Sequence, residues 1–144
     1  MDNNIDPKDQ FQAHDRSIPF KGADAIDTDV LECFAYEYAD SPTGDIEIVT
    51  DTEEFTSVCP FSGLPDFAKV TITYTPDRDI LELRSLKYYL MSYRDVGIWY
   101  EHLVNRMLED LINVVQPNYM HIEVACNARG GLVSTVRAEY SKEE

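Results

Sequence analysis

A cysteine and an aspartate bracket a tight turn in the stretch Glu54-Phe55-Thr56-Ser57-Val58-Cys59-Pro60-Phe61-Ser62-Gly63-Leu64-Pro65-Asp66-Phe67. Two prolines and a glycine interrupt this stretch, and they prevent a helix or a strand from running through it. The backbone between the flanking apolar runs is therefore held in turns. We expect Cys59 to lie where one element ends and Asp66 where the next begins.

Two interpretations of this turn are open. A thiol and a carboxyl placed across a rigid turn could reach one atom from two sides, as nucleophile and proton carrier. A lone cysteine is, however, more often a small buried side chain, and an aspartate after a proline is an ordinary turn residue. Taken alone, the stretch favours this second interpretation.

Composition limits the class of protein. A chain of 144 residues, 44% hydrophobic and 27% charged, is expected to form one globular domain. Its net charge of -15 argues against nucleic acid or an anionic membrane as a general partner. The acidic N-terminus and the lack of a long apolar run predict a cytoplasmic protein. Three cysteines without a CxxC pair indicate neither a disulfide framework nor a zinc site.

Hydrophobic periodicity predicts an α+β domain. Alternating apolar residues indicate four strands, and apolar residues at helical spacing indicate two helices between the strand pairs. The strands are expected over residues 45–52, 67–75, 120–126 and 132–140, and the helices over 84–94 and 98–115. A hairpin at Gly130-Gly131 is expected to join the last two strands. The order strand, strand, helix, helix, strand, strand indicates a four-stranded antiparallel sheet with two helices on one face.

The N-terminal region is expected to form an arm outside the folded domain. Residues 1–28 are polar and acidic and predict an arm that is flexible or draped over its surroundings, leaving 29–144 as the single domain. Its apolar residues Phe11, Ile18 and Phe20 could dock on a neighbour. The predicted sheet keeps two edges and an open face, so self-association is expected.

Charged residues elsewhere are candidates for binding. Glu101 is predicted to be semi-buried in the first turn of the second helix, either as a helix-end charge or as an acceptor for two N–H groups of a planar ligand. Arg84 and Lys87 share a helix face and could hold a phosphate, as could Arg129; solvated surface charges are the alternative. The three histidines lack metal-site spacing, so no metal is expected.

Three ordered motifs change this balance. They are the Cys59 stretch, then Glu82-Leu83-Arg84-Ser85-Leu86-Lys87-Tyr88-Tyr89, then Ser92-Tyr93-Arg94 through Tyr100-Glu101. With these motifs the sequence resembles the NADPH-dependent 7-cyano-7-deazaguanine (preQ0) reductases, the nitrile reductases of queuosine biosynthesis, in their short single-domain form. The resemblance covers about residues 31–140. It implies the tunnelling fold (T-fold), whose element order is the one predicted above.

The resemblance also implies roles for individual residues. Cys59 would be the nucleophile that forms a thioimide with the nitrile, and Asp66 the proton donor. The positions implied to contact the substrate are Leu81, Glu82, Leu83, Tyr100 and Glu101. Arg84 and Lys87 are candidates for the NADPH phosphates, and Arg129 is a weaker third. Two positions depart from the family pattern, since Arg84 replaces a usual lysine and Tyr100 replaces a frequent histidine.

The implied reaction reduces preQ0 to the 7-aminomethyl compound preQ1 with two NADPH. The family's pockets lie between subunits, usually in two stacked pentameric rings, so a homo-oligomer without direct nucleic-acid contact is expected. One alternative is the archaeosine-type amidinotransferase branch, which uses the same thioimide without NADPH. Another is a non-catalytic T-fold binding protein. The motif at 82–89 argues against the first, and the joint presence of Cys59, Asp66 and Glu101 argues against the second.

Overall fold

A computed structural model describes residues 6–10 and 18–143, and it confirms an α+β fold. The helices are α1 (Pro7–Gln10), α2 (Leu83–Met91) and α3 (Tyr100–Val115). The strands are β1 (Cys33–Ala35), β2 (Ile48–Val58), β3 (Pro65–Thr75), β4 (Asp79–Leu81), β5 (Tyr119–Cys126) and β6 (Thr135–Ser141). The four long strands form an antiparallel sheet in the order β2-β3-β5-β6, and β1 pairs with β4 in a small second sheet.

The helices α2 and α3 cover one face of the large sheet. On β3, alternate side chains from Ala68 to Tyr74 are buried as their spacing predicted, and those between them are half-buried or exposed. The fully buried residues of α3, such as Leu103, Met107 and Leu111, complete this core. Burying an aliphatic or Met side chain of this kind contributes about 1.5–3 kcal/mol each. The opposite face of the sheet is left without a covering layer in the described part of the chain.

The strand β2 differs from its prediction. Residues 45–52 were expected, but β2 begins at Ile48 and continues to Val58. A β-bulge between Thr52 and Phe55 shifts the register, so the alternation that marks a strand breaks there. The interrupted part of the opening stretch is therefore only residues 59–64. Residues 54–58 belong to β2, and 65–67 belong to β3.

Other boundaries moved by a few residues. The last strand starts at Thr135, because Leu132 pairs with Arg129 across the tip of the predicted Gly130-Gly131 hairpin. Both glycines have positive φ, 55° and 81°, as a two-residue hairpin turn requires. The helix expected over residues 84–94 begins one residue earlier, at Leu83, and ends at Met91.

Part of the N-terminal region lies against the domain. Lys21 N donates to Asp95 O at 2.7 Å, and Gly97 N donates to Lys21 O at 2.9 Å. Residues 18–21, called the N-terminal strap below, thus cross the surface beside the segment that precedes α3. The prediction for Phe11 lies outside the described residues, whereas Phe20 packs on Gly97 of its own chain. None of the helices in the described residues has the length and apolar character needed to cross a membrane.

Candidate active site

The turn between β2 and β3 presents Cys59. Cys59 N donates to Leu64 O at 2.9 Å, and Gly63 N donates back to Cys59 O at 2.8 Å. Gly63 has a φ of 74°, and a Cβ at this position would lie 2.4 Å from the carbonyl oxygen of Ile18 in the N-terminal strap. Only glycine satisfies both the positive φ and the close backbone approach. Cys59 therefore lies at the start of a compact turn, as the sequence predicted.

The beginning of α3 is fixed to the same place. Val58 N donates to Val96 O at 2.9 Å, and Ile98 N donates to Val58 O at 3.2 Å. These bonds join the last residue of β2 to the segment that leads into α3. Tyr100 and Glu101, the first two residues of that helix, are consequently held near Cys59 although they are distant in sequence.

Arg129 connects the groups that surround Cys59. Its Nη2 donates to the Asp66 carboxylate in a short ion pair, and its Nη1 lies 3.8 Å from Cys59 Sγ. Its guanidinium carbon lies 4.6 Å from the centroid of the Tyr100 ring, a cation–π arrangement. We call Cys59, Asp66, Tyr100 and Arg129 the thiol–carboxyl cluster. Arg129, predicted as a weak third contact for phosphate, is placed here and not beside Arg84 and Lys87.

The pKa values of the thiol and the carboxyl move toward each other. Burial tends to raise the pKa of Cys59, but hydrogen bonds from Ser62 and Phe61 and the charge of Arg129 outweigh it and lower that pKa. Burial raises the pKa of Asp66, which is only 6% exposed, despite the opposing effects of Arg129 and Tyr100. Both shifts favour a thiolate beside a neutral carboxylic acid. The environment thus suits nucleophilic attack coupled to proton donation.

The other two cysteines have different environments. Cys126 is buried on β5, and burial raises its pKa to about 11. Cys33 is exposed, but partial burial of its thiol and the charge of Asp79 raise its pKa. Among the three, only Cys59 combines access with a lowered pKa. This geometry supports the nucleophile interpretation over the buried-thiol interpretation.

Alkylation should distinguish the three thiols. We expect iodoacetamide at neutral pH to modify Cys59 several times faster than Cys33, with Cys126 protected until the protein unfolds, because the thiolate is the reacting form. Peptide mass spectrometry over a time course measures the three rates. Arg129→Gln should slow modification of Cys59, while Arg129→Lys should retain most of it. Faster labelling of Cys33 would contradict this assignment.

A cleft outside the thiol–carboxyl cluster could hold part of a dinucleotide. It lies between β2 and α2, has a volume of about 380 Å³ and includes Phe55, Leu86 and Leu90 in its lining. Lys87 and Arg94 supply cations at its edge. Phosphate binding needs such cations, and a ring system needs such an apolar floor. The volume is near the lower end of the roughly 300–1,000 Å³ typical of small-molecule sites.

The two residues predicted to contact the cofactor phosphates, Arg84 and Lys87, lie in different places. Lys87 lines the cleft, whereas Arg84 does not; the Arg84 guanidinium lies 5.9 Å from the Tyr88 ring centroid on the exposed surface. Arg94 was not singled out as a cofactor contact, although it lies in the third motif. Tyr89, also in a motif, is fully buried and donates to Asp110 Oδ2 at 2.7 Å, so its hydroxyl joins α2 to α3.

The three residues predicted for substrate contact at 81–83 have separate environments. Leu81 is 3% exposed and its side chain belongs to the core. Glu82 is the N-cap of α2, where its carboxylate accepts from Arg84 N at 2.8 Å and Ser85 N at 2.6 Å. These bonds lower the pKa of Glu82. Leu83 is exposed and lines the cleft.

Glu101 is exposed and not semi-buried as predicted. Its apolar neighbours three and seven residues later point into the core, but its own side chain lies at the rim of the helix. Burial is the main cause of the raised pKa of Cys126 on β5, and the charge of Glu101 adds to it. Tyr100 is 9% exposed, and burial raises its pKa to about 12, so it is a neutral phenol at physiological pH.

Ser57 is a site residue that sequence reasoning did not identify. It is 0% exposed, and its hydroxyl has no hydrogen-bond partner among the described residues. The sequence shows only a serine before an apolar residue in a strand. The described residues also contain no group of three or more His, Cys, Asp or Glu side chains arranged to hold a metal ion.

Known proteins that resemble this chain over most of its length share one name. The family model described as QueF-like protein matches residues 65–144. The chain is 48% identical over 130 residues to the NADPH-dependent 7-cyano-7-deazaguanine reductase of Caldanaerobacter subterraneus subsp. tengcongensis, covering 90% of this chain and 95% of the relative. It is likewise 48% identical over 134 residues to the reductase of the same name from Caldicellulosiruptor bescii, covering 93% and 98%.

A solved structure extends the comparison. The apo form of the archaeosine synthase QueF-Like aligns with a TM-score of 0.61 and 27% identity. The alignment covers 72% of this chain and all of that one. The shared architecture is consistent with a T-fold.

Proposed function

The chain belongs to the QueF-like family, and from that premise we infer that it is an NADPH-dependent oxidoreductase that reduces preQ0 to preQ1 in queuosine biosynthesis. The observation that supports this best is the thiol–carboxyl cluster. One guanidinium contacts both a thiol with a lowered pKa and a carboxyl with a raised pKa. Addition of a nucleophile to a nitrile requires that pair of groups.

The first step joins substrate and protein. Cys59 Sγ, as thiolate, forms a bond to the nitrile carbon, and one carbon–nitrogen π bond becomes a lone pair on nitrogen. Asp66 donates its proton to that nitrogen and becomes a carboxylate, so the product is a neutral thioimide. Arg129, already paired with Asp66, stabilises the carboxylate that results.

Substrate binding is assigned to the beginning of α3. The Glu101 carboxylate would accept two N–H groups of the deazaguanine ring in a charge-assisted contact, and Tyr100 would donate one hydrogen bond or stack on the ring. Leu83 contributes an apolar contact at the cleft. Leu81 and Glu82 contribute through the backbone, because the Leu81 side chain is buried and the Glu82 carboxylate caps α2.

When bound, NADPH would supply the hydride for the two reductions that lead from the thioimide to the amine. Lys87 is the contact for its phosphates that the cleft supports best, and Arg94 is added to it. Arg84, on the exposed surface outside the cleft, would contact a phosphate group that extends beyond it. Asp51 and Glu54 on the opposite side of the cleft are acceptors for hydroxyl groups.

Assembly completes the site in this proposal. Glu101 is exposed and Phe61, beside Cys59, is 90% exposed, so the pocket is open in a single chain. A second copy covering it would exclude water from the thioimide. Two stacked pentameric rings are the proposed state. A cytoplasmic location fits the requirement of a nucleophilic thiol for a reducing compartment.

The assay follows NADPH absorbance with and without preQ0. We expect oxidation only when preQ0 is present, two NADPH consumed for each preQ1 formed, and a covalent adduct on the protein by intact mass. The amidinotransferase alternative is related through the structure that shares 27% identity. An adduct without NADPH oxidation would reject the reductase assignment and favour that alternative.

A further inference from the structure

Ser57 carries a buried hydroxyl, which can both donate and accept a hydrogen bond. Its side chain is 0% exposed, and Oγ has no hydrogen-bond partner in the part of the chain that the structure describes. A buried hydroxyl left unpaired costs about 1–3 kcal/mol. Ser85, the other serine that is buried among the described residues, accepts from Glu32 N at 3.0 Å and donates to Glu82 O at 2.8 Å, so burial of a serine in this fold does not by itself prevent pairing.

The location of Ser57 points to Asp66. The two residues are directly paired across β2 and β3, and both side chains are on the face that the helices cover. Directly opposed residues on one sheet face have Cβ atoms about 4.5–5.5 Å apart. The Ser57 hydroxyl is therefore within a side-chain rotation of the Asp66 carboxyl.

The charged and titratable groups around Asp66 leave one function unfilled. Arg129 reaches it from the loop after β5, Tyr100 from α3, Cys126 from β5, and Cys59 shares Arg129 with it. A guanidinium only donates hydrogen bonds. Arg129 can therefore bind the carboxylate, but it cannot accept a hydrogen bond from the O–H of the carboxylic acid. The neutral acid needs an acceptor for its O–H. The Tyr100 hydroxyl donates to the Asp66 carboxylate, and its oxygen is approached by the Arg129 guanidinium, so the Ser57 hydroxyl is the acceptor that is left for the neutral acid.

We propose that Ser57 is a positioning residue for Asp66, whose hydroxyl accepts the O–H of the neutral carboxylic acid while Arg129 binds the carboxylate. Ser57 would thus stabilise the protonated form of Asp66, and Arg129 would stabilise the ionised form. The inference rests on the proposed function, in which Asp66 donates a proton during thioimide formation. The free-energy cost of the unpaired Ser57 hydroxyl would then be offset when Asp66 is protonated and the two groups form a hydrogen bond.

Ser57→Ala tests this in a single-turnover experiment without NADPH. The rate of adduct formation is measured from about pH 5 to about pH 9 by quenching and intact mass. Loss of the acceptor destabilises neutral Asp66, so the decline of the rate with rising pH should move to lower pH. At neutral pH the rate should fall about three- to tenfold. Thermal unfolding is measured beside it.

The stability comparison separates positioning from packing. At a pH above the pKa of Asp66, where Arg129 binds the carboxylate, Ser57→Ala removes an unpaired group and should leave the melting temperature unchanged or raised, whereas Ser85→Ala removes a paired group and should lower it. A wild-type pH profile in Ser57→Ala would overturn the inference while leaving the function intact. A lower melting temperature with a uniformly reduced rate would also overturn it. Absence of any adduct in the unmodified protein would instead overturn the proposed function on which it rests.

Discussion

Cys59→Ala is expected to abolish both the covalent adduct and preQ0-dependent NADPH oxidation, with a loss of turnover of about 10⁴-fold or more. No other group can replace the sulfur, since Cys126 is buried with a pKa of about 11 and Cys33 lies on β1, away from the cluster. Intact mass with preQ0 and the rate of NADPH oxidation are the two measurements. The substitution removes one sulfur from a half-buried turn, so the fold should persist.

Cys33→Ala is the matched control for this result. It removes an exposed thiol of the same chemistry, and it should retain the adduct and the rate. Equilibrium binding of preQ0 to Cys59→Ala should remain measurable, because the proposed contact with Glu101 does not involve the thiol. An adduct that survives in Cys59→Ala but disappears in Cys33→Ala would reject the assignment of the nucleophile.

Asp66→Asn is expected to slow thioimide formation by about 10²–10⁴-fold, the usual contribution of a positioned acid. Asparagine keeps the shape of the side chain, and its amide oxygen can still accept from Arg129. What it lacks is the transferable proton. In the unmodified protein, the rate should fall as pH rises through the raised pKa of Asp66, whereas Asp66→Asn should lack that limb.

Stability supplies an independent check on the same variant. Because the folded-state pKa of Asp66 is raised above 3.8, the folded protein binds the proton more tightly than the unfolded chain. The stabilising contribution is present below that value and is lost as pH rises through the folded pKa. The charge of Arg129 opposes this effect of burial without reversing it. Asp66→Asn should therefore gain relative stability toward neutral pH, and an unchanged adduct rate would contradict the proton-donor role.

Local chemistry allowed much of this fold to be predicted. Proline and glycine between apolar runs identified the turn at Cys59, and Gly130-Gly131 identified the last hairpin, since both depend on backbone preferences of neighbouring residues. The boundary of β2 could not be predicted, because a bulge between Thr52 and Phe55 breaks the alternation. Local sequence carries no sign of such an extra residue until the partner strand is known.

The site was predictable only where roles depend on residue type. Cys59 and Asp66 were candidates because a thiol and a carboxyl flank one turn. The placement of Arg129 depends on how the loop between β5 and β6 lies against the start of β3, which no periodicity encodes. The exposure of Glu101 and the unpaired state of Ser57 likewise depend on which surfaces the helices cover. Pairing across strands, and not the identity of the residues, decides these features.

The N-terminal strap has a consequence for how the molecule forms. Residues 18–21 are synthesised early, but Lys21 pairs with the segment at 95–97 and Ile18 with the turn at Gly63. The strap can dock only after about two-thirds of the chain has been made, and contacts so distant in sequence form slowly. The strap closes over the Cys59 turn, so the active-site geometry is completed late in folding.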